Sequence, residues 1–453
     1  MENSNSSLAG KPLHIGFIST RFSGTDGVSL ETEKWAEVLE RLGHTCFYFC
    51  GESDKPPERS HVVEEAHFKH PTIEAINAIA FSDSWGRKDL LEAVNPAIYG
   101  IATPAFSQYI RPPRVTQRLQ ELKELLKGEL YRFAHRFDIK LLIVENALAI
   151  PMNLPLGLAL TEFIAETGYP TIAHHHDFFW ERKRFLVNCV GDYLSMSFPP
   201  NLPSIRHVTI NSWAARQLAL RTGISSMVVP NVMDFDNPPP PPDDYVASLR
   251  ADLGVEPDEL MILQPTRVVQ RKGIEHAIEL VRRLGRRARL VISHASGDEG
   301  NAYEQRVREF ADLLGVKTNF EAHLIKPQRG QTEDGRKVYS LGDVYTQADL
   351  VTYPSMLEGF GNAFLEALYY CKPIVVNNYS IYTIDIKPKG FRVIEFDGFI
   401  SDETVFQTRR VLDNPELTDR MTRHNYRLAK RHYSFSVLKR RLQILITDCF
   451  GEE

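Results

Sequence analysis

Two carboxylates, Glu358 and Glu366, stand eight positions apart around the turn Gly359-Phe360-Gly361. Ala348 to Pro354 reads as a short buried strand closed by proline, and the apolar spacing from Asn362 to Tyr370 predicts a helix. The glycines therefore fall in a strand-to-helix loop. Such a loop lets backbone amides approach an anion, and the helix N-terminus adds unpaired N–H donors and a partial positive charge. A phosphate fits there. A carboxylate beside a phosphate is repelled unless it accepts hydrogen bonds from hydroxyls, and ribose and sugar rings carry those hydroxyls.

A second candidate group is basic. Arg267 closes a predicted strand, Leu260 to Thr266, and Lys272 opens the following helix, marked by Ile274, Ile278, Val281 and Leu284. Guanidinium binds phosphate oxygens through paired donors and ammonium acts as a mobile point charge, so together they can neutralise a leaving diphosphate. The loop Arg21 to Val28 holds the matching position before the first helix, and Gly27 there allows close backbone contact with a phosphate or sugar. It is not a full Gly-x-Gly-x-x-Gly dinucleotide fingerprint.

After the predicted strand Pro170 to Ala173 come His174, His175, His176 and Asp177. Neighbouring strand side chains alternate faces, so the three histidines do not all converge on one ion, and no His-Glu-x-x-His pattern supports zinc. Metal is not expected. One histidine with Asp177 at a strand's C-terminal end suits polar contact with a substrate. The following Arg182, Lys183 and Arg184 are either a solvated helix face or contacts for a charged acceptor. Asp234-Phe235-Asp236 has a spacing that can hold a divalent cation, but it lies just before a proline run and reads as a turn or hinge.

These groups need a scaffold, and the chain spells one twice. Leu13 to Thr20 reads as a strand, followed by a glycine loop, a helix marked by Trp35, Val38, Leu39 and Leu42, a stop at Gly43, and a strand from His44 to Cys50. The pattern restarts at Leu260, with Gly285 ending the helix and Leu290 to Ser293 as the next strand. Two such openings imply two Rossmann-like, doubly wound domains. Pro238 to Pro242 is a stiff junction between them. Residues 52–114 have weak periodicity and several prolines, as expected of an insertion that shapes an acceptor pocket. A final helical stretch, Arg423 to Cys449, continues the second domain or returns to the first.

Composition fits this plan. The 453 residues exceed one ordinary domain, and 43% hydrophobic with 25% charged residues is the balance of a globular enzyme. A net charge of −5 gives no reason to expect nucleic acid as a partner. The five scattered cysteines contain no Cys-x-x-Cys pair, which fits a reducing cytoplasm. Met1 to Ser7 is polar, unlike a signal peptide, and is expected to be a flexible tail. The most apolar stretch, Leu141 to Leu160, is interrupted by Glu145, Asn146, Pro151, Asn153 and Pro155, so no transmembrane segment is expected.

Taken together, the Glu358/Glu366 loop with its Ser355-x-x lead-in, Arg267 with Lys272, the N-terminal glycine loop and the hinge Asn231-Val232-Met233-Asp234 resemble retaining GT-B glycosyltransferases of family 4. The resemblance covers most of the chain. It implies an α/β GT-B fold in which two Rossmann-like doubly wound domains face across a cleft, at residues 11–235 for the acceptor and 236–431 for the nucleotide sugar. In that family the last helix, here about 432–453, commonly crosses back to the first domain. By residue, it implies that Glu366 binds ribose hydroxyls, Glu358 contacts the donor sugar, and Gly359, Phe360, Gly361 and Asn362 present backbone amides. Arg267 and Lys272 hold the diphosphate, and Gly27 joins the donor site. A family histidine stands six residues after the proline that opens the corresponding strand, which places His176 near the reacting sugar; His175 takes that place if the strand is shifted by one residue. His175, Asp177 and Arg182 are the acceptor candidates.

The expected activity is transfer of a hexosyl group from a GDP, UDP or ADP sugar to a small soluble sugar, polyol or sugar acid, with retention and without a required metal or other cofactor. A homo-oligomer is compatible with it. The competing readings are a same-fold nucleotide-sugar epimerase, a non-catalytic nucleotide-sugar binder and, below these, an NAD-dependent oxidoreductase.

Overall fold

The computed structural model describes residues 11–24, 27–81, 109–296 and 301–451. The expected N-terminal tail lies outside the described residues, as do Thr25 and Asp26 of the glycine loop and residues 82–108 of the expected insertion. The chain forms two compact units. One holds the described residues up to Pro230 together with those from Leu438 onward, and the other spans Asn231–Val437.

The first unit is built on seven parallel strands: β1 (His14–Ile18), β2 (Thr45–Cys50), β3 (Ser60–Val62), β4 (Leu141–Glu145), β5 (Thr171–His175), β6 (Ile205–Thr209) and β7 (Met227–Val228). Their order is β3-β2-β1-β4-β5-β6-β7. Parallel strands covered on both faces read as continuous apolar runs, which is why Leu141 to Val144 lacks alternation. Three helices matter for the site: α1 (Gly27–Arg41), α2 (Pro113–Arg136) and α3 (Leu154–Thr167). Gly16 of β1 admits α2 closely, since a Cβ there would stand 2.7 Å from the Phe133 ring.

The apolar stretch from Leu141 to Leu160 divides into β4 and the start of α3. Asn153 accepts the Leu156 N–H at 3.0 Å as the α3 cap, and Gly168 closes the helix at φ 65. Asn153→Ala is expected to lower stability by about 1 kcal/mol, read as a shifted denaturant midpoint with unchanged slope. Among the described residues no helix is long and apolar enough to cross a membrane.

The second unit carries β8 (Leu260–Gln264), β9 (Ala288–Ile292), β10 (Lys317–Phe320), β14 (Leu350–Tyr353), β15 (Ile374–Asn377) and β16 (Ile394–Phe396), ordered β10-β9-β8-β14-β15-β16 and all parallel. A separate small sheet joins β11 (Ile325–Lys326), β12 (Gly330–Gln331) and β13 (Lys337–Ser340). Helix α4 (Ile274–Leu284) buries Ile274, Ala277, Ile278, Val281 and Leu284, the 3.6-residue stripe read from the sequence. Helix α5 (Asn362–Tyr369) follows β14.

Both sheets reverse their strand order once, between β1 and β4 and between β8 and β14. In doubly wound sheets the loops diverge at such a point and leave a crevice beyond the strands' C-terminal ends. Gly27, Arg267, Lys272 and Glu358 follow β1, β8 and β14 at these points, whereas His176, Asp177 and Arg182 follow β5 and Glu366 lies within α5.

The C-terminal region corrects one expectation. The stretch read as a single helical run is two helices, α6 (Pro415–Tyr433) and α7 (Phe435–Phe450), separated by an extended Ser434. Tyr433 O accepts from Met233 N at 2.9 Å, and Asp236 Oδ2 accepts from Ser436 N at 3.0 Å and its hydroxyl at 2.7 Å. The Asp-x-Asp segment thus serves the α7 N-terminus. Within the first unit, Leu438, Leu442 and Leu445 of α7 are buried and Arg206 donates to the Asp448 carbonyl at 2.9 Å.

Candidate active site

At the β8/β14 crossover, Lys272 donates to Glu358 Oε1, and Arg271 lies 3.6 Å from the other carboxylate oxygen. Met356 N donates to Arg271 O at 2.8 Å, which ties the glutamate loop to the basic turn. Burial opposes the charge on Glu358, but Lys272, then Ser355 and Arg271, outweigh it and hold its pKa below the ordinary carboxylate value. Burial pulls Lys272 below the ordinary lysine value against the pull of Glu358. The carboxylate's share of stability is present above about pH 4.5 and is lost as pH falls through its lowered value. Arg267, by contrast, is exposed and its guanidinium makes no ion pair among the described residues.

The turn itself is locked from behind. Gly361 adopts φ 127, and a Cβ there would sit 2.5 Å from Tyr379 Oη. That hydroxyl donates to Phe360 O at 2.7 Å. The Phe360 ring packs edge-on against Tyr433 at 5.3 Å, so what this residue offers a ligand is its backbone. Asn231 donates to Asn362 Oδ1 at 2.7 Å, linking the hinge motif to the loop. Helix α5 starts without a side-chain cap and without an acid in its first turn, the condition that favours an external anion. One turn on, Glu366 accepts from Tyr345 Oη at 2.9 Å.

His294, just past β9, went unnoticed in the sequence because a lone histidine carries no pattern. Burial, then Lys272 and Arg267, push its imidazole down to about 4. It is a neutral group in the field of the basic pair, with Nδ1 2.7 Å from Ser293 Oγ.

In the first unit the histidine run separates by face, as alternation requires. His175 turns to one side, where Nε2 lies 2.9 Å from His207 Nδ1. Burial, then His207, drive its pKa well below the usual value. His174 and His176 turn to the other side and meet at Glu145, the last residue of β4: Oε2 lies 2.9 Å from His174 Nδ1 and 3.0 Å from His176 Nε2. The three ligand-type atoms lie within 4.8 Å of one another. An ionised carboxylate has no proton to give, so both imidazoles donate into the same oxygen.

Asn146 follows at φ 60, and its Oδ1 accepts from His176 N at 3.0 Å while its Nδ2 donates to Asp177 Oδ1 at 3.0 Å. Asp177 also pairs with Arg182. His176, Asp177 and Arg182 thus gather at one end of β5, and His175 does not join them. Gly27 is the first residue of α1, with open space where a Cβ would point.

Comparison with known proteins decides the family. Residues 247–427 match the family model described as glycosyl transferases group 1. The chain is 31% identical to the mannosylglucosylglycerate synthase of Thermotoga maritima, covering 94% of this chain and 98% of that protein. It belongs to the group 1 glycosyl transferases. The mannosylglucosylglycerate synthase of Petrotoga mobilis is 29% identical over 84% of this chain and 86% of its own. A crystal structure of a glycosyltransferase from Rickettsia africae superposes with a TM-score of 0.63 at 13% identity, over 98% of this chain and 100% of that one, and shares its GT-B fold.

In this glycosyltransferase a second residue missed in the sequence, besides His294, is Glu145. It was visible as a charge breaking an apolar run. The usable signal was a His-x-His pair on one strand face beside an acid ending the neighbouring strand, and strand order alone puts the two together.

Proposed function

We propose that this glycosyltransferase moves a hexosyl group, with retention, from a nucleoside-diphosphate sugar to a hydroxyl of a small sugar acid. The observation that carries this reading is the buried Lys272–Glu358 pair beside the exposed Arg267, at the mouth of a doubly wound sheet. Arg267 and Lys272 take the diphosphate charge without needing a metal. Glu358 accepts hydroxyls of the donor sugar, Glu366 accepts those of the ribose, and the amides from Gly359 to Asn362 face the phosphate side. Gly27, His176, Asp177 and Arg182 are the candidates in the first unit.

As the bond from the anomeric carbon to phosphate breaks, that carbon becomes oxocarbenium-like. The acceptor oxygen bonds to it from the face the phosphate leaves, and a departing phosphate oxygen takes the acceptor proton. Fixed cations at the leaving group lower this barrier because they are already oriented when charge develops there.

Two relatives matched over most of this chain are named for mannosylglucosylglycerate, a product with two sugars and a glycerate carboxylate. This supports a mannosyl donor and a glucosylglycerate-type acceptor.

A thermal-shift panel of GDP, UDP, ADP and their sugars is expected to single out one base, since a ligand that binds only the folded state raises the midpoint. An acceptor panel with NMR of the product then reads the anomeric configuration. Inversion would overturn retention, and donor consumption that ignores the acceptor would favour the epimerase.

A further inference from the structure

We propose that Glu145 is the positioning residue that sets the tautomer and charge of His176, leaving Nδ1 as the one ring nitrogen through which that histidine meets a substrate. Glu145 and His174 are direct partners in the β4/β5 ladder, and His176 follows two residues later on the same face. Both imidazoles donate to Oε2, while Glu145 Oε1 and His174 Nε2 are buried without a hydrogen-bond partner among the described residues. Trp35 of α1 stacks on His174 at 4.1 Å, and the His174 and His176 rings lie 4.4 Å apart. Glu145 and His174 are fully buried, and only His176, at 9%, reaches the surface of the group. The Asn146 bonds to the His176 and Asp177 segment fix the backbone from the same strand end. The group therefore has one rigid carboxylate, one inner imidazole and one outer imidazole.

The charged and titratable groups facing His176 are Glu145 from β4, His174 and Asp177 from β5 and its extension, and Glu31 from α1. Burial disfavours the imidazolium, but Glu145 outweighs it and raises the His176 pKa. Burial likewise opposes charge on Glu145, and the two histidines bring it down to about 2. Burial keeps His174 below the ordinary value despite Glu145. The signs define a window. The His176 contribution is complete below about pH 6.5 and fades as pH rises through the raised value, while the Glu145 contribution is present above about 4.5 and fades toward 2. His174 acts the other way, costing stability as it is forced to charge below about 6.5.

Both imidazoles direct a ring N–H to Glu145 Oε2, so the carboxylate is held by two donors from β5 and its extension. A metal is the rival occupant, so it forms one arm of the test.

The catalytic consequence rests on the role proposed above for His176, and the experiment separates the two. Histidine ring nitrogens of the full chain are followed by NMR from pH 5 to 9, with His176→Gln identifying the signal. The wild-type His176 signal is expected to show Nε2 protonated and a midpoint above 6.5, and in Glu145→Gln the midpoint is expected to fall by about one to three pH units. Glu145→Asp should restore part of that shift. Transfer by Glu145→Gln is expected to lose turnover on the alkaline side while the donor KM stays within about twofold, as when only a transition-state interaction is lost.

A wild-type midpoint below 6.5 overturns the proposal even if Glu145→Gln does not fold, as does a midpoint that Glu145→Gln leaves unmoved. Stoichiometric zinc uptake that removes the Nε2–H signal overturns it too. The expected spectra with unchanged turnover would support the Glu145 assignment and sink the role of His176 in transfer.

Discussion

Lys272→Ala is expected to slow transfer about 10²–10³-fold, the loss seen when one fixed donor to a developing anion is removed. It should also lower unfolding free energy by about 3–5 kcal/mol, because Glu358 is left buried without its cation. The two losses have different origins and can be separated. A Lys272→Met, Glu358→Leu double variant removes both charges together and is expected to recover most of the stability while transfer stays low. Steady-state rates well below the unfolding midpoint, with denaturant curves on the same samples, check both. Lys272→Arg should not rescue transfer, since a planar fork does not replace a point charge in a buried slot beside Tyr353. Wild-type rates in Lys272→Ala and in Arg267→Ala would sink the assignment of the pair to the diphosphate.

Glu358→Gln is expected to cost roughly 10²-fold or more in kcat/KM, from two hydroxyl bonds to a charged acceptor at about 1.5–3 kcal/mol each. The substitution keeps volume and shape. It turns one end of the side chain into a donor facing the Lys272 ammonium, so the folded state also loses stability, and the acid loss of stability that begins near pH 4.5 becomes shallower. Donor titration and pH-dependent denaturation of the same variant check the two parts. If Glu358 were a covalent nucleophile, a slow donor would trap a glycosyl group on it; mass spectrometry of the intact chain is expected to find none.

Much of this was legible in the chain itself. Gly359, Gly361 and the acids around them mark a strand-to-helix loop because glycine and proline punctuate locally, and helix α4 is readable because its apolar stripe has one period. Pair formation across the fold was not legible. Lys272 and Glu358 lie 86 residues apart, and only the β8/β14 neighbour relation brings them together. Glu145 was harder still, since a charge at the end of a buried parallel strand looks locally like a break in hydrophobicity. The break at Ser434 was hidden for the opposite reason. Its flanks both have helical periodicity, and the interruption comes from the distant partners Met233 and Asp236.

The closed Lys272–Glu358 pair also bears on which ligands the site refuses. A bare lysine in a crevice attracts any phosphate, and cells are full of phosphate. Here the ammonium is already neutralised, so a ligand that brings only anionic oxygen must strip it from Glu358 and leave a carboxylate stranded in a buried place. A ligand that carries phosphate and sugar hydroxyls on one skeleton can take the ammonium and hand the carboxylate new donors in the same movement. In the proposed reading, the pair works as a lock with two wards, opened by a nucleotide sugar and left shut by inorganic phosphate.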